Sequence, residues 1–161
     1  MSFDAFLKVE GVDSESTRKG HENEIELISF SWGASNPTSV DVGGGAGSGK
    51  VSVSGFNFMK RTDAASAPLF QACCTGKHFP KAVVTLYKAS GGDAVDYLKY
   101  EFEKVFIESV QWSGSSGGDD VPMESVSIAF GKVAMTYTKQ NQDGSKGGSV
   151  VGSWDLMKVT A

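Results

Sequence analysis

Reactive and metal-binding side chains are scarce in this 161-residue chain, which carries two cysteines and two histidines. Cys73 and Cys74 are adjacent, so joining them would close a strained ring, and neither has another thiol to pair with. The expectation is a pair of buried thiols in a reducing compartment. A closed zinc site needs four tetrahedral ligands. Cys73, Cys74, His21 and His78 are the soft donors present, and a helix end expected at Gly76 separates Cys74 from His78. No metal and no cofactor is expected.

An excess of one charge is missing too. Fifteen lysines and arginines stand against 19 aspartates and glutamates, a net charge of -4, with the signs interspersed. Without a basic run to follow a phosphate backbone, nucleic acid is not an expected partner. No segment approaches the roughly 20 consecutive apolar residues of a membrane helix, so no direct membrane insertion is expected. The start, Met1-Ser2-Phe3-Asp4-Ala5-Phe6-Leu7-Lys8, has neither a cationic leader nor the apolar stretch of a signal peptide. By ordinary routes that describes a cytoplasmic protein. The length fits a single domain over 1–161, able to bury roughly 68–70% of its unfolded surface without a staple.

What the chain has in abundance is alternation. Residues 3 to 9, 24 to 35, 50 to 61, 81 to 90, 97 to 112, 122 to 138 and 150 to 158 read as strands. Within 50 to 61 the apolar positions are Val51 and Val53, then Phe56 and Phe58, so the inward parity shifts by one across Gly55. One inserted residue does this, and glycine suits a bulge. A helix is predicted over Ala64 to Thr75, with Asp63 accepting from its free N–H groups, Gly76 as its cap, and Leu69, Phe70, Ala72 and Cys73 on its buried side. Tight connections are predicted at Ser90 to Asp93, Gly114 to Asp120 and Asn141 to Gly148, the last around Asp143-Gly144. The fold class is mainly β: two β-sheets forming a barrel or sandwich with one flanking α-helix.

The run Gly43-Gly44-Gly45-Ala46-Gly47-Ser48-Gly49-Lys50 has the look of a phosphate loop. Gly44, Gly49 and Lys50 fall on the required spacing, yet Val51 stands where a magnesium-holding hydroxyl is needed. A phosphate loop must also open a helix, whereas both flanks of this run alternate as strands. The reading is a flexible connecting loop. Gly114-Ser115-Ser116-Gly117-Gly118 matches the spacing of a nucleophile elbow, but Pro122 leads into another strand and both histidines precede Ser116. Glu101 and Glu103 share a strand face with Tyr97 and Lys99, and a solvated or subunit-facing surface is the better reading of that acidic pair. His21 is read as organising a loop. The residues give a β-rich domain without an evident active site, and an enzyme is not expected.

Glu15-Ser16, His21, Glu24-Ile25 and Ser31-Trp32-Gly33, followed by the glycine run, closely resemble the Hcp family, the haemolysin-coregulated proteins of bacterial type VI secretion. The resemblance continues through Ala72-Cys73, Gly76-Lys77-His78-Phe79-Pro80-Lys81-Ala82, Glu124-Ser125-Val126, Tyr137 and Trp154-Asp155. Ser14 and Ser153 stand where the family often has glycine. The resemblance implies a protomer that pairs β-sheets into a barrel, assembles into a homohexameric ring and stacks into the inner tube of a contractile machine. It implies a contractile sheath around that tube, a VgrG-type spike at its tip, and effector proteins carried in its lumen. Localisation would begin in the bacterial cytoplasm and end outside the cell or in a target cell, without a signal peptide. A phage-like tail tube subunit is the competing structural reading, and a small nucleotide-binding or hydrolytic enzyme is the third.

On such a tube, a lumen-facing strand should alternate small polar residues with apolar ones turned into the barrel. Ser52, Ser54 and, past the bulge, Asn57 oppose Val51, Val53, Phe56 and Phe58. Ser29 and Ser31 oppose Ile28, Phe30 and Trp32, with the strand expected either to bend or to be covered on both faces at Leu27-Ile28. These five are the expected lumen-facing, effector-contacting residues. Gly43, Gly44, Gly45, Gly47, Ser48, Gly49 and Lys50 are expected to make contacts between subunits or stacked rings, because a backbone-rich segment can lie closely along a neighbour.

Overall fold

A computed structural model describes residues 3–41, 45–88, 95–118 and 120–161. Its elements in chain order are β1 (Phe3–Val9), β2 (Ile25–Leu27), β3 (Ser29–Ser31), β4 (Ala34–Ser35), β5 (Thr38–Asp41), β6 (Gly45–Ser48), β7 (Ser52–Val53), β8 (Phe56–Arg61), α1 (Ser66–Thr75), β9 (His78–Lys88), β10 (Val95–Ser113), β11 (Met123–Gln140) and β12 (Lys146–Asp155). The main sheet is antiparallel in the order β2-β1-β9-β10-β11-β8-β3, with β12 beside β11. β2 and β3 are consecutive in the chain yet sit at opposite ends of that order, and the Ile28 N–H between them donates to the Met59 carbonyl at 2.8 Å. Residues 25–31 therefore close the sheet into a barrel, β2 pairing β1 and β3 pairing β8. A single strand over 24 to 35 is thus corrected to three short ones. The chain changes neighbours at Ile28, which is left 50% exposed.

Inside the barrel sit Leu7, Ile25, Phe56, Phe58, Val84, Phe102, Val105 and Ile128, all at or below 2% exposure. Three strands share one irregularity. Buried residues skip two positions between Phe79 and Ala82, between Phe102 and Val105, and between Phe130 and Val133. Lys104, inside the second skip, takes the left-handed φ of 53°. A paired irregularity of this kind re-aims the strands while the apolar side stays inward.

Helix α1 begins at Ser66, two residues inside the predicted start, because Asp63 holds a turn ahead of it: its Oδ1 accepts from the Ala65 N–H at 2.9 Å. Gly76 ends the helix in the left-handed region at φ 73°, as a C-terminal glycine allows. The helix packs on β10 through Leu69 and Ala72. Phe70 is corrected: it is 50% exposed and stacks edge-on against Trp112. Cys73 is half-buried and Cys74 exposed, so the expectation of two buried thiols fails on a helix that turns only one face to the sheet.

Residues 29–41 and 45–61 form the two sides of one interrupted hairpin. β3 pairs β8, β4 pairs β7 and β5 pairs β6, each antiparallel. Between the first two ladders Ser31 to Ala34 opposes Asn57 back to Val53, one residue longer on the returning strand. That places the extra residue at Ser54-Gly55, where the parity shift located it. A second extra residue falls between Ser48 and Ser52. The glycine run, read as a flexible loop, is instead built at Gly45–Ser48 into a two-stranded arm, because backbone ladders need no side chains. Gly43 and Gly44 lie outside the described residues.

Candidate functional site

β8 alternates with period two: Phe56, Phe58 and Lys60 are buried, while Asn57, Met59 and Arg61 are exposed. The ladders extend this outer face across four strands. Ser31, Asn57, Ser127 and Ser109 form one cross-strand row, and Ser29, Met59, Ser125 and Gln111 the next. Seven of these eight side chains are small or medium, polar and uncharged. Charge enters at the margins, where Arg61 ends β8 and Glu108, the extra residue of a bulge in β10, accepts from the Ser127 hydroxyl at 3.2 Å. A face of this kind offers hydrogen bonds to water without a fixed electrostatic preference.

Ser29, Ser31 and Asn57 are brought together on this face, whereas Ser52 and Ser54 are not. Ser52 sits opposite Ser35 in the β4–β7 ladder. Ser54 forms a clip: its N–H donates to the Gly33 carbonyl at 2.9 Å and its hydroxyl accepts from the Gly33 N–H at 2.9 Å. Ser109, Gln111, Ser125 and Ser127 join the face without having been singled out from the sequence. Ser125 and Ser127 were readable as the polar half of an alternation with Val126 and Ile128. Ser109 and Gln111 were hidden by the bulge at Glu108, which breaks the parity of β10.

Gly45, Gly47 and Ser48 belong to β6, and Gly49 and Lys50 connect it to β7. A strand follows the lysine, so the helix terminus that would hold a phosphate is absent between residues 45 and 53. Gly114 to Gly118 form a turn that leads through Pro122 into β11. Glu101 and Glu103 each face a lysine, Lys81 at 3.3 Å and Lys132 at 3.8 Å, which makes them members of an exposed ion-pair ladder. Among the described residues no cluster of three or more His, Cys, Asp or Glu side chains is placed to hold a metal ion. No helix among them is long and apolar enough to cross a membrane.

The sequence model of a family described as "Type VI secretion system effector, Hcp" matches residues 6–137. The chain belongs to the Hcp family. It is 40% identical over 157 residues to Protein hcp1 of Pseudomonas aeruginosa, covering 97% of this chain and 96% of that one. A solved structure of a type six secretion system protein superimposes with a TM-score of 0.93 at 34% identity, covering 99% of both chains. Hcp1 from Salmonella typhimurium follows at a TM-score of 0.79 and 33% identity, again over 99% of each chain.

The positions that carry the Hcp resemblance have structural work in this fold. His21 contacts Glu24 through Nδ1 and Oε2, and its ring lies 5.1 Å from Phe6 and 4.6 Å from Tyr87. Arg18 covers the same aromatics and pairs with Asp4 at 3.0 Å, so the 14–24 loop is pinned to β1 and β9. Burial pushes the Glu24 carboxyl above its ordinary range, against the pull of His21. Trp32 packs edge-on against Tyr100, Phe102 and Phe130. Glu124 is fully buried, 2.7 Å from the equally buried Lys60 ammonium, and accepts from the Trp112 indole N–H. Lys60 also reaches Asp63 at 2.8 Å and donates to Ser66 at 3.1 Å, tying β8 and β11 to the start of α1.

Proposed function

We propose that this Hcp protein is the ring subunit of a type VI secretion inner tube, a structural rather than catalytic role, and that the neutral face of β3, β8, β11 and β10 lines the lumen. One observation carries this reading: two cross-strand rows, serine, asparagine or glutamine at every position but Met59, lie on the outside of a barrel whose core is already filled. A channel that passes many different proteins is served by a wall that is wetted and adheres to none of them, and small uncharged polar groups provide that. Ser29, Ser31 and Asn57 are its central members, with Ser125 and Ser127 beside them. Ser52 lies further out along the arm, and Ser54 acts through its clip to Gly33.

The arm formed by β4 to β7, with the glycine run toward its tip, contacts a neighbouring subunit or the next ring. Its β5 and β6 strands pair only with each other among the described residues, which leaves their outer edges open. Homohexameric rings stacking into a tube, a surrounding contractile sheath, a VgrG-type spike and effector cargo are the partners of this role. The protein is made in the cytoplasm and leaves by the machine it helps build.

Negative-stain microscopy of the purified protein tests the reading, with six-membered rings around an open centre as the expected result. Particles without a central opening, or a monomer at all concentrations, would overturn it. Ser31→Trp should keep the rings and reduce co-purifying effector, and unchanged cargo in intact rings would remove the lumen assignment. Deleting the arm from Thr38 to Ser48 should weaken stacking, and normal tubes would remove that role.

A further inference from the structure

The neutral face is interrupted at one margin. Along β8 the outward residues run Asn57, Met59, Arg61, and along the neighbouring β11 they run Ser127, Ser125, Met123. Met59 stands opposite Ser125 and Met123 opposite Arg61, so the two methionines are diagonal cross-strand neighbours. That spacing, about 7–8 Å, is within reach of long side chains. Ile28 adjoins them: it is 50% exposed, and its N–H donates to the Met59 carbonyl at 2.8 Å. Met59 is itself 39% exposed and Met123 half-buried, so the barrel does not need an apolar group at position 59. Methionine is flexible and polarisable, and surfaces that accept many different partners are rich in it.

Two clefts flank these side chains and join at Arg61 and Val121, which line both. The larger, about 470 Å³, takes in Met123 and Asp120. The smaller, about 290 Å³, takes in Ile28, Glu15, Glu24, Glu26 and Asp63. Glu24 is occupied by His21 and Asp63 by Lys60. Glu15, Glu26 and Asp120 form no ion pair among the described residues, and Arg61 is the one cation among them that lines either cleft. The apolar patch is therefore rimmed by an excess of negative charge. Among the described residues these carboxylates are not placed to enclose a metal ion. The cation they suit is a side-chain ammonium or guanidinium, which one carboxylate can hold through charge-assisted hydrogen bonds.

We infer that this surface docks a cationic amphipathic segment of a cargo protein, with apolar side chains on Met59, Met123 and Ile28 and lysines or arginines in the two clefts. That the partner is cargo rests on the tube reading above, whereas the chemistry it must carry follows from the surface itself. The wall of serine, asparagine and glutamine lets a protein pass, and retaining one requires a place that adheres. An apolar contact edged by charge does this with few residues: the methionines supply most of the binding energy, and the carboxylates reject segments of like charge.

Methyl NMR of the full chain, isotope-labelled at its methionines, tests this with a short peptide alternating leucine and lysine as the probe. The peptide should move the Met59 and Met123 signals and leave in place those of Met157 and of Met135, which lines a separate apolar groove with Trp32 and Trp154. Met59→Ser and, separately, Glu26→Lys should each weaken binding about tenfold. Both positions are exposed, so the barrel should be retained, with circular dichroism as the control. Met59→Gln replaces Met59→Ser if that variant does not fold. Absence of binding, equal binding of a peptide alternating serine and lysine, tighter binding of one alternating leucine and glutamate, or unchanged affinity in both variants would overturn the inference and leave the tube reading in place. So would Met59 and Met123 signals that move with protein concentration alone, since a second copy would then cover the surface. Native mass spectrometry of the same sample separates the two readings. A protein that binds the peptide but never forms rings would remove the tube reading, and the cargo assignment with it.

Discussion

The two faces of strand β8 are built from alternate residues of one six-residue segment and differ in kind. Inward, Phe56 and Phe58 join an aromatic cluster with Phe30, Tyr100 and Phe102, and the row ends on Lys60, a cation with no exposed surface. Outward, Asn57 and Met59 join a sheet of serines. The inner face is under heavy constraint, since every group there must be packed or paired, and a charge without a partner costs several kcal/mol. The outer face is under almost none from folding. Its largely small, neutral and polar composition, with Met59 the exception, therefore points to a demand from outside the protomer, which is why we propose that it lines the lumen.

The contrast breaks most visibly at Lys60. Lys60→Met leaves the Glu124 carboxylate buried without its cation, and the expected loss is about 3–5 kcal/mol in denaturant unfolding. Adding Glu124→Leu should recover most of that loss, since a buried ion pair replaced by packed apolar groups is often neutral. A single variant within about 1 kcal/mol of wild type would show that the pair is solvated rather than sealed.

At the border between the two regimes, Gly55→Ala should cost about 1–3 kcal/mol, because an added Cβ would stand 2.9 Å from the Ile128 carbonyl oxygen of the neighbouring strand. An unchanged melting temperature would mean that the bulge shifts freely.

A smaller effect is expected at Asp155, where backbone N–H groups of Lys158 and then Met157 hold the carboxyl below its ordinary range. An acid depressed on folding contributes its stability above the unfolded value, roughly 3.9, and loses it as pH falls through the lower folded value. Amide exchange at Met157 and Lys158 should therefore accelerate as pH is taken from 5 toward 3, after correction for intrinsic rates. Protection that does not change would contradict the cap.

Smallest of all, Ser31→Tyr should change unfolding free energy by no more than about 0.5 kcal/mol, as befits an exposed site outside the core. A large destabilisation there would show that the outer face serves folding after all.

Much of this was legible from alternation. The strand at Phe3–Val9, the bulge beside Gly55 and the cap at Gly76 follow from residue spacing and from what glycine permits. Other features were hidden for physical reasons. Nothing local marks Ile28 as the point where a strand exchanges one neighbour for another, because closure is a property of the whole sheet. Nothing local marks Lys60 and Glu124 as a buried ion pair, which exists only because the fold places them 2.7 Å apart. Phe70 reads as core by composition, and only the direction of the helix leaves it beside Trp112 in the open. Ser109 and Gln111 of the polar face were missed because they follow a bulge that reverses their parity.

The most direct test of the lumen assignment is to locate Ser31 in assembled rings. With Cys73 and Cys74 changed to serine and Ser31 to cysteine, a gold-maleimide label can be positioned by electron microscopy. The account predicts label density inside the central channel of every ring. Density on the outer circumference would contradict it.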